Sequence, residues 1–279
     1  MCESIVSLES VALSRFCTYR TGGKAKALKI VYDLPSLQKC LSGEFTVIGC
    51  GSKLLISDDG YDGTVIVMRL SGIEATARGV YAYAGTPLPV LASFCERMGK
   101  SGLEWACGIP GSVGGAVKLN AGAHGKSISD VIDYVDVLVG DKVVSIYNRD
   151  LGFGYRTSNI PYVIVGASFV CGCDDVQQIA ARRLEYTAFR RERQPTGCSC
   201  GSVFVGADKP AGWYIDRAGL KGLRQGGAVI SDKHANFIIN EGYASSRDIY
   251  TLIRTAKAEV KAKFGVSLKE EVVYLGDFY

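Results

Sequence analysis

Gly108-Ile109-Pro110-Gly111-Ser112-Val113-Gly114-Gly115-Ala116-Val117, followed by Asn120-Ala121-Gly122-Ala123-His124-Gly125, is the stretch on which the reading of this sequence turns. Glycines at such density let successive backbone N–H groups converge on an anion, because no Cβ holds the phosphate away. Small residues packed this closely also leave room for a flat ring system. A second segment, Val47-Ile48-Gly49-Cys50-Gly51-Ser52-Lys53-Leu54-Leu55-Ile56, reads as a strand running into a glycine turn. Together they look like a mould for a phosphate-bearing cofactor. The plainer alternative, glycines that serve tight turns and close packing, stays open at this point.

Two common nucleotide motifs fail on spacing. A dinucleotide fingerprint opening at Gly49 needs glycine at position 54, where Leu54 stands. Gly125-Lys126-Ser127 resembles the end of a P-loop, but the first glycine of that motif would fall at Asn120.

Outward from the glycine segments, strand-like runs occupy Ala27–Tyr32, Phe45–Ile48, Thr64–Leu70 and Val80–Ala84, separated by glycine or aspartate clusters. Leu91, Ala92, Cys95 and Met98 share one stripe of a helix over Pro89–Met98. Val131–Val139 and Lys142–Tyr147 read as a hairpin turning at Gly140-Asp141. Asp174-Asp175 opens a helix with Val176, Ile179, Ala180, Leu184 and Thr187 on one side. Ser245-Ser246-Arg247-Asp248 forms a capping box before Ile249, Leu252, Ile253, Ala256, Val260 and Phe264, and Gly265 stops that helix. A last strand is expected over Glu271–Leu275. Strands and helices do not alternate as a parallel βαβ fold requires, so the class is α+β.

The chain has 279 residues, 47% hydrophobic and 22% charged, and can bury a full core of two or three subdomains. Its formal charge of +4 is dispersed, with no run of Lys and Arg interleaved with aromatics, so nucleic acid is not an expected partner. A mildly basic balance suits a small anionic ligand. Met1–Phe16 carries Glu3 and Glu9 and no basic leader, and no span of about 20 apolar residues occurs, so neither export nor membrane insertion is expected. Cytoplasmic residence then leaves the ten cysteines reduced. The pairs Cys171/Cys173 and Cys198/Cys200 are spaced too closely for ordinary structural zinc and read as small buried hydrophobes, so no metal is expected. With two histidines, His-dependent triads and multi-histidine metal sites are excluded.

At these segments the sequence resembles the UDP-N-acetylenolpyruvoylglucosamine reductase (MurB) family. The matching pieces are Tyr19-Arg20-Thr21-Gly22-Gly23, the Gly49 turn, Gly108 to Gly125, Phe153-Gly154-Tyr155-Arg156-Thr157-Ser158, Cys200-Gly201-Ser202-Val203-Phe204, Ser231 to Asn236, and Glu271, in family order. The resemblance implies a two-subdomain FAD-binding fold of the vanillyl-alcohol-oxidase/p-cresol-methylhydroxylase type plus a C-terminal α+β substrate domain. It divides the chain into residues 1–69 with 269–279, residues 70–189, and residues 190–268. Arg156 and Arg193 lie 37 positions apart, too few for the tyrosine-bearing loop of one family subgroup, so the chain is similar to the loop-less one. Lys53 stands where the family usually has asparagine.

The same resemblance implies the chemistry. FAD is held non-covalently, NADPH reduces it, and an enolpyruvyl UDP-sugar takes the hydride and then a proton on its α-carbon. The family's peptidoglycan-precursor role comes with this reaction. Arg156 matches the arginine that stabilises the developing enolate, a task for a permanent planar cation. Ser202 matches the proton donor and Glu271 a carboxylate near the same intermediate. FAD would be held by Thr21, Gly22, Gly49, Cys50, Gly51, Ser52, Lys53, Leu54, Ile109, Pro110, Gly111, Ser112, Gly114, Gly115, Ala116, Asn120, Ala121 and Gly122, where Lys53 could face a phosphate. His234 matches a substrate-contacting position, and Arg193 a basic, substrate-binding one that meets the substrate or the NADPH phosphates. A monomer is expected. The glycine segments equally suit a flavin-dependent sugar or alcohol oxidase, and the cysteine count suits a non-catalytic redox protein. Arg156, Ser202 and Glu271 together favour the reductase.

Overall fold

The computed structural model describes residues 5–278; Met1–Ser4, part of the N-terminal stretch considered for export, and Tyr279 lie outside them. Packing separates the chain into two compact units, one of Met1–Ser7, Lys29–Cys50 and Val65–Arg190, the other of Leu8–Leu28, Gly51–Thr64 and Arg191–Tyr279. Strands Ile5–Ala12, Lys24–Val31 and Tyr61–Met68 carry the chain across the division.

The first unit contains helices α1 (Leu34–Cys40), α2 (Leu88–Arg97), α3 (Val113–Lys118) and most of α4 (Val176–Arg193). Its centre is a five-stranded antiparallel sheet in the order Lys142–Tyr147, Ile132–Val139, Val163–Val170, Gly79–Tyr83, Ile73–Thr76. Alternation decides which side chains it buries: Val135 and Val137, Ala167 and Phe169, and Val80 and Ala82 all join one core with Leu88, Leu91, Trp105, Val113 and Val117. The Trp105 indole N–H donates to the Gly102 carbonyl at 3.0 Å, so its one polar atom is satisfied on burial. The hairpin turns at Gly140, φ 58°, as its sequence requires.

Helix α4 forms where expected but buries a different face. Val176 is 44% exposed and Leu184 71%, whereas Ile179 is fully buried. The inward line instead runs Ile179, Arg183, Tyr186, Arg190. Arg183 donates to the Glu96 carboxylate and the Ser93 hydroxyl, and Tyr186 packs on His124 at 4.3 Å. Long polar side chains lay their stems along the core here, a role that counting aliphatic residues overlooks.

In the second unit, α5 (Ala211–Arg217) and α6 (Ser246–Phe264) accompany a three-stranded antiparallel sheet of Arg224–Gln225, Ala228–Ile230 and Ile238–Asn240. Ile249, Leu252, Ile253, Ala256 and Val260 are the buried stripe of α6. The capping box forms as read: Asp248 N–H donates to Ser245 Oγ at 3.0 Å, and Ser245 N–H to Asp248 Oδ2 at 2.9 Å. Gly265 ends the helix at φ 71°.

The final strand departs from expectation. Lys269–Glu270 pairs antiparallel with Phe204–Val205, and Val273–Leu275 pairs parallel with Leu54–Ile56. The chain changes ladders at Glu271-Val272, which uniform alternation in the sequence does not reveal. No helix among the described residues is long and apolar enough to cross a membrane.

Candidate active site

Within the first unit the two glycine segments meet. A Cβ on Gly49 would lie 2.1 Å from the Ser112 hydroxyl, so a side chain there would force that hydroxyl to move. Gly108–Gly115 is laced to the neighbouring chain: Val113 N–H donates to Thr86 O, Gly114 N–H to Ala84 O, and Leu88 N–H to Gly111 O, each at 2.8 or 2.9 Å. Cys50 follows, with burial raising its thiol pKa and the nearby Arg69 opposing that.

Asn120 is 7% exposed and adopts φ 40°, a left-handed conformation that asparagine tolerates better than most residues. Its side chain accepts from Ser129 N–H at 3.0 Å and donates to Gly154 O at 2.9 Å. Gly154 and Thr157 bridge each other, so Tyr155 and Arg156 sit at the tip of a tight turn with Arg156 at φ 57°. The Arg156 guanidinium donates to the carbonyls of Asn120 at 3.4 Å and Gly122 at 3.0 Å, and lies 4.9 Å from the Tyr155 ring centre. The expected cation and the Gly108–Gly125 segment are thus one hydrogen-bonded assembly. His124 packs against Tyr186 and Phe189, and burial lowers its pKa, with Arg190 adding to the effect. Cys107 turns toward α4, its sulfur 3.4 Å from the Thr187 hydroxyl.

Thr21, Gly22, Gly51, Ser52, Lys53 and Leu54 belong to the second unit. Gly51, at φ 63°, passes so close to Phe16 that a Cβ would sit 2.0 Å from its carbonyl oxygen. Thr21 is 4% exposed, and its hydroxyl has no hydrogen-bond partner among the described residues.

Ser202 follows Gly201, which is at φ 74°. Asn236 clamps the residues after it: Val203 N–H donates to Asn236 O at 2.9 Å, Phe204 N–H to Oδ1 at 3.0 Å, and Nδ2 to Phe204 O at 2.9 Å. Nothing in the sequence pattern marks Asn236 for that role. Glu271 N–H donates to Val203 O at 2.8 Å, which brings the two expected residues together at the ladder change. Lys53 Nζ completes the group, donating to Glu271 Oε2 at 2.9 Å and to Ser202 O at 2.6 Å. The Glu271 side chain is 6% exposed and that of Lys53 23%. Next to them the Cys200 thiol donates to the Tyr19 hydroxyl at 3.2 Å, and burial raises the pKa of both.

His234 packs 4.8 Å from Phe237 and accepts Asn236 N–H on Nδ1 at 3.2 Å, while burial lowers its pKa. Its Nε2–H is the donor it can offer. Arg193 is exposed near the end of α4. Of the two C-x-C pairs, Cys200 is buried, Cys171 and Cys198 are half-buried, and Cys173 is exposed. The expectation of small buried hydrophobes therefore fails at Cys173. The strand ends at Val170, and Gly172-Cys173 forms a separate short ladder with Lys100–Ser101. Among the described residues no three His, Cys, Asp or Glu side chains converge as metal ligands.

Comparison with known proteins decides the family. Residues 194–275 match the model described as UDP-N-acetylenolpyruvoylglucosamine reductase, C-terminal domain, and residues 39–144 match that of an FAD binding domain. A UDP-N-acetylenolpyruvoylglucosamine reductase of Synechococcus sp. (strain JA-3-3Ab) is 42% identical, over 96% of this chain and 91% of its own. The chain belongs to the UDP-N-acetylenolpyruvoylglucosamine reductase family. Another member, reductase 1 of Bacillus thuringiensis subsp. konkukian, is 39% identical over 95% of this chain and 93% of its own. The crystal structure of the reductase (MurB) from Thermus caldophilus superposes with a TM-score of 0.86 at 33% identity, covering 98% of this chain and 99% of that one. The α+β class and the FAD-binding fold expected from the family's motifs are therefore those of this chain. Between Arg156 and Arg193 this chain has strands Val163–Val170 and Gly172–Cys173, followed by α4.

Proposed function

We propose that this chain reduces UDP-N-acetylglucosamine enolpyruvate to UDP-N-acetylmuramate, with NADPH as reductant and non-covalent FAD as cofactor. One observation supports this beyond family membership: Ser202 and Glu271, far apart in sequence, are joined through Val203 and Lys53 into one hydrogen-bonded group.

The residues present fit FAD. Thr21 offers a buried hydroxyl without a partner among the described residues, and Gly115 is an exposed position whose Cβ would approach nothing there closer than 3.6 Å. Thr21, Gly22, Gly51, Ser52 and Leu54, and separately Gly49, Cys50, Ile109–Ala116 and Asn120–Gly122, are the residues that would hold it. FAD, when bound, supplies hydride transfer between NADPH and the acceptor.

The protein's own part is charge and proton management. Arg156, held on its turn by carbonyls, offers a guanidinium to the enolate-like charge on the substrate carboxylate. Ser202 gives the proton to the α-carbon; a carbanion-like centre is basic enough to take it from a positioned hydroxyl. Glu271, at the change between two ladders, keeps that hydroxyl's surroundings oriented. His234 and Arg193 are assigned to the sugar-nucleotide. In this reading residues 1–69 with 269–279 and residues 70–189 serve the cofactor, and residues 190–268 serve the substrate. The enzyme acts as a cytoplasmic monomer.

Ser202→Ala separates the two half-reactions. Reoxidation by the enolpyruvyl substrate should slow by about 10²–10⁴, the span for a lost general acid, while reduction by NADPH stays near normal. Unchanged reoxidation would remove Ser202 from the role, and oxygen uptake in place of substrate reduction would favour the oxidase reading.

A further inference from the structure

The residue that joins Ser202 to Glu271 was expected at the cofactor, and its geometry assigns it elsewhere. Lys53 is fixed at both ends. Its carbonyl accepts Val273 N–H at 2.8 Å, next to the parallel ladder of Leu54–Ile56 with Val273–Leu275. Its ammonium reaches Glu271 Oε2 and Ser202 O, at 2.9 and 2.6 Å. Glu271 N–H donates in turn to Val203 O, the residue after the serine, at 2.8 Å. The result is a closed ring from Lys53 through Glu271 and Val203 to Ser202 and back.

This ring has two physical consequences. A carboxylate whose side chain is 6% exposed needs a charged partner, and an ammonium within hydrogen-bond distance is that partner. A fixed positive charge held at the Ser202 carbonyl also favours negative charge developing on that residue's own hydroxyl as it gives up a proton.

We propose that Lys53 is a positioning residue for the protonation step: it fixes Glu271 and the Ser202 backbone as one unit and makes Ser202 a better proton donor. This rests on the reductase reading. Lys53 touches neither reacting carbon; it acts through Ser202 and Glu271. A lysine serving a cofactor phosphate would extend away from this group, and the two roles predict different kinetics.

Stopped-flow measurement on the FAD-loaded enzyme separates them. Lys53→Met removes the charge and keeps the aliphatic stem. It should slow reoxidation by the enolpyruvyl substrate roughly 10–100-fold, the scale of a displaced catalytic group, and raise the solvent deuterium isotope effect on that step. NADPH-driven reduction and FAD affinity, read by flavin fluorescence, should stay at wild-type values. Lys53→Arg keeps a cation with several donors and should recover most of the lost rate. In Lys53→Met/Glu271→Gln the combined loss should be smaller than the product of the single losses, because both substitutions break one ring.

Equal slowing of both half-reactions, or loss of FAD affinity, would make Lys53 a cofactor residue and overturn the proposal. So would unchanged reoxidation in Lys53→Met. Should Lys53→Met fail to fold, Lys53→Arg decides: a loss smaller than that of Glu271→Gln alone supports the role, and an equal or larger loss overturns it. Failure of the reductase reading shows separately, as a wild-type enzyme that is reduced by NADPH but not reoxidised by the enolpyruvyl sugar.

Discussion

Asn120→Ala probes the support beneath Arg156, and its cost can be worked from the geometry. Alanine at φ 40° takes on the left-handed penalty of about 1–2 kcal/mol. Losing the side chain also leaves Ser129 N–H without its acceptor and takes the shorter of two donors from Gly154 O, which keeps Thr157 N–H at 3.4 Å. A buried group stripped of its partner costs about 1–3 kcal/mol, and the half-buried setting places this loss in the lower part of that range. The sum is about 2–4 kcal/mol. With an unfolding entropy of about 2.1 cal/mol/K per residue, a chain of this size loses about 2 °C of Tm per kcal/mol, so Tm should fall by roughly 4–8 °C. Asn120→Gly keeps the hydrogen-bond loss and relieves the strain, offset by about 0.5–1 kcal/mol of chain entropy, and should melt between wild type and Asn120→Ala. Differential scanning calorimetry of the protein without added cofactor reads both. The same substitutions loosen the carbonyls that hold Arg156, so reoxidation by the enolpyruvyl substrate should slow about tenfold or more. Both variants melting within about 1 °C of wild type would refute the strain and hydrogen-bond reasoning together.

Two further outcomes bear on the second unit. Asp58 accepts Ser246 N–H at 2.8 Å and Arg247 N–H at 2.9 Å, a second cap on α6 beyond its capping box. Asp58→Ala should cost about 1–2 kcal/mol in urea unfolding without changing turnover, and equal stability would show the cap to be idle. His234 has its pKa lowered by burial, so the unfolded chain binds its proton more readily. Its contribution to stability is then present above about pH 6.5 and lost as pH falls through the lower folded value. The stability gap between wild type and His234→Gln should shrink as pH falls below about 6.5, and a His234 NMR titration midpoint at or above about 6.5 would contradict this.

Local rules made much of the fold legible. The Ser245–Asp248 box, the Gly265 stop and the Gly140 hairpin are set by neighbours a few residues apart, and each forms as its chemistry requires. What distant partners decide was not legible. The inward face of α4 is lined by Arg183 and Tyr186 because Glu96, Ser93 and His124 await them, and no periodicity of aliphatic residues carries that information. The ladder change at Glu271 depends on two strands, Phe204–Val205 and Leu54–Ile56, that lie far earlier in the chain. For the candidate site, motif reading named Ser202, Glu271 and Lys53 separately. The ring that links them arises from long-range pairing that the separate motifs do not carry, and the same holds for the Asn236 clamp. The glycines served both readings at once: Gly49 and Gly51 permit close backbone approach, and Gly115 leaves open space.

The central claim is best tested by the visible spectrum of the purified protein through one anaerobic cycle. The protein should be yellow with FAD, bleach with NADPH and recover its colour when UDP-N-acetylglucosamine enolpyruvate is added. A protein that stays colourless with added FAD, or one that bleaches and recovers only with oxygen, would contradict that claim.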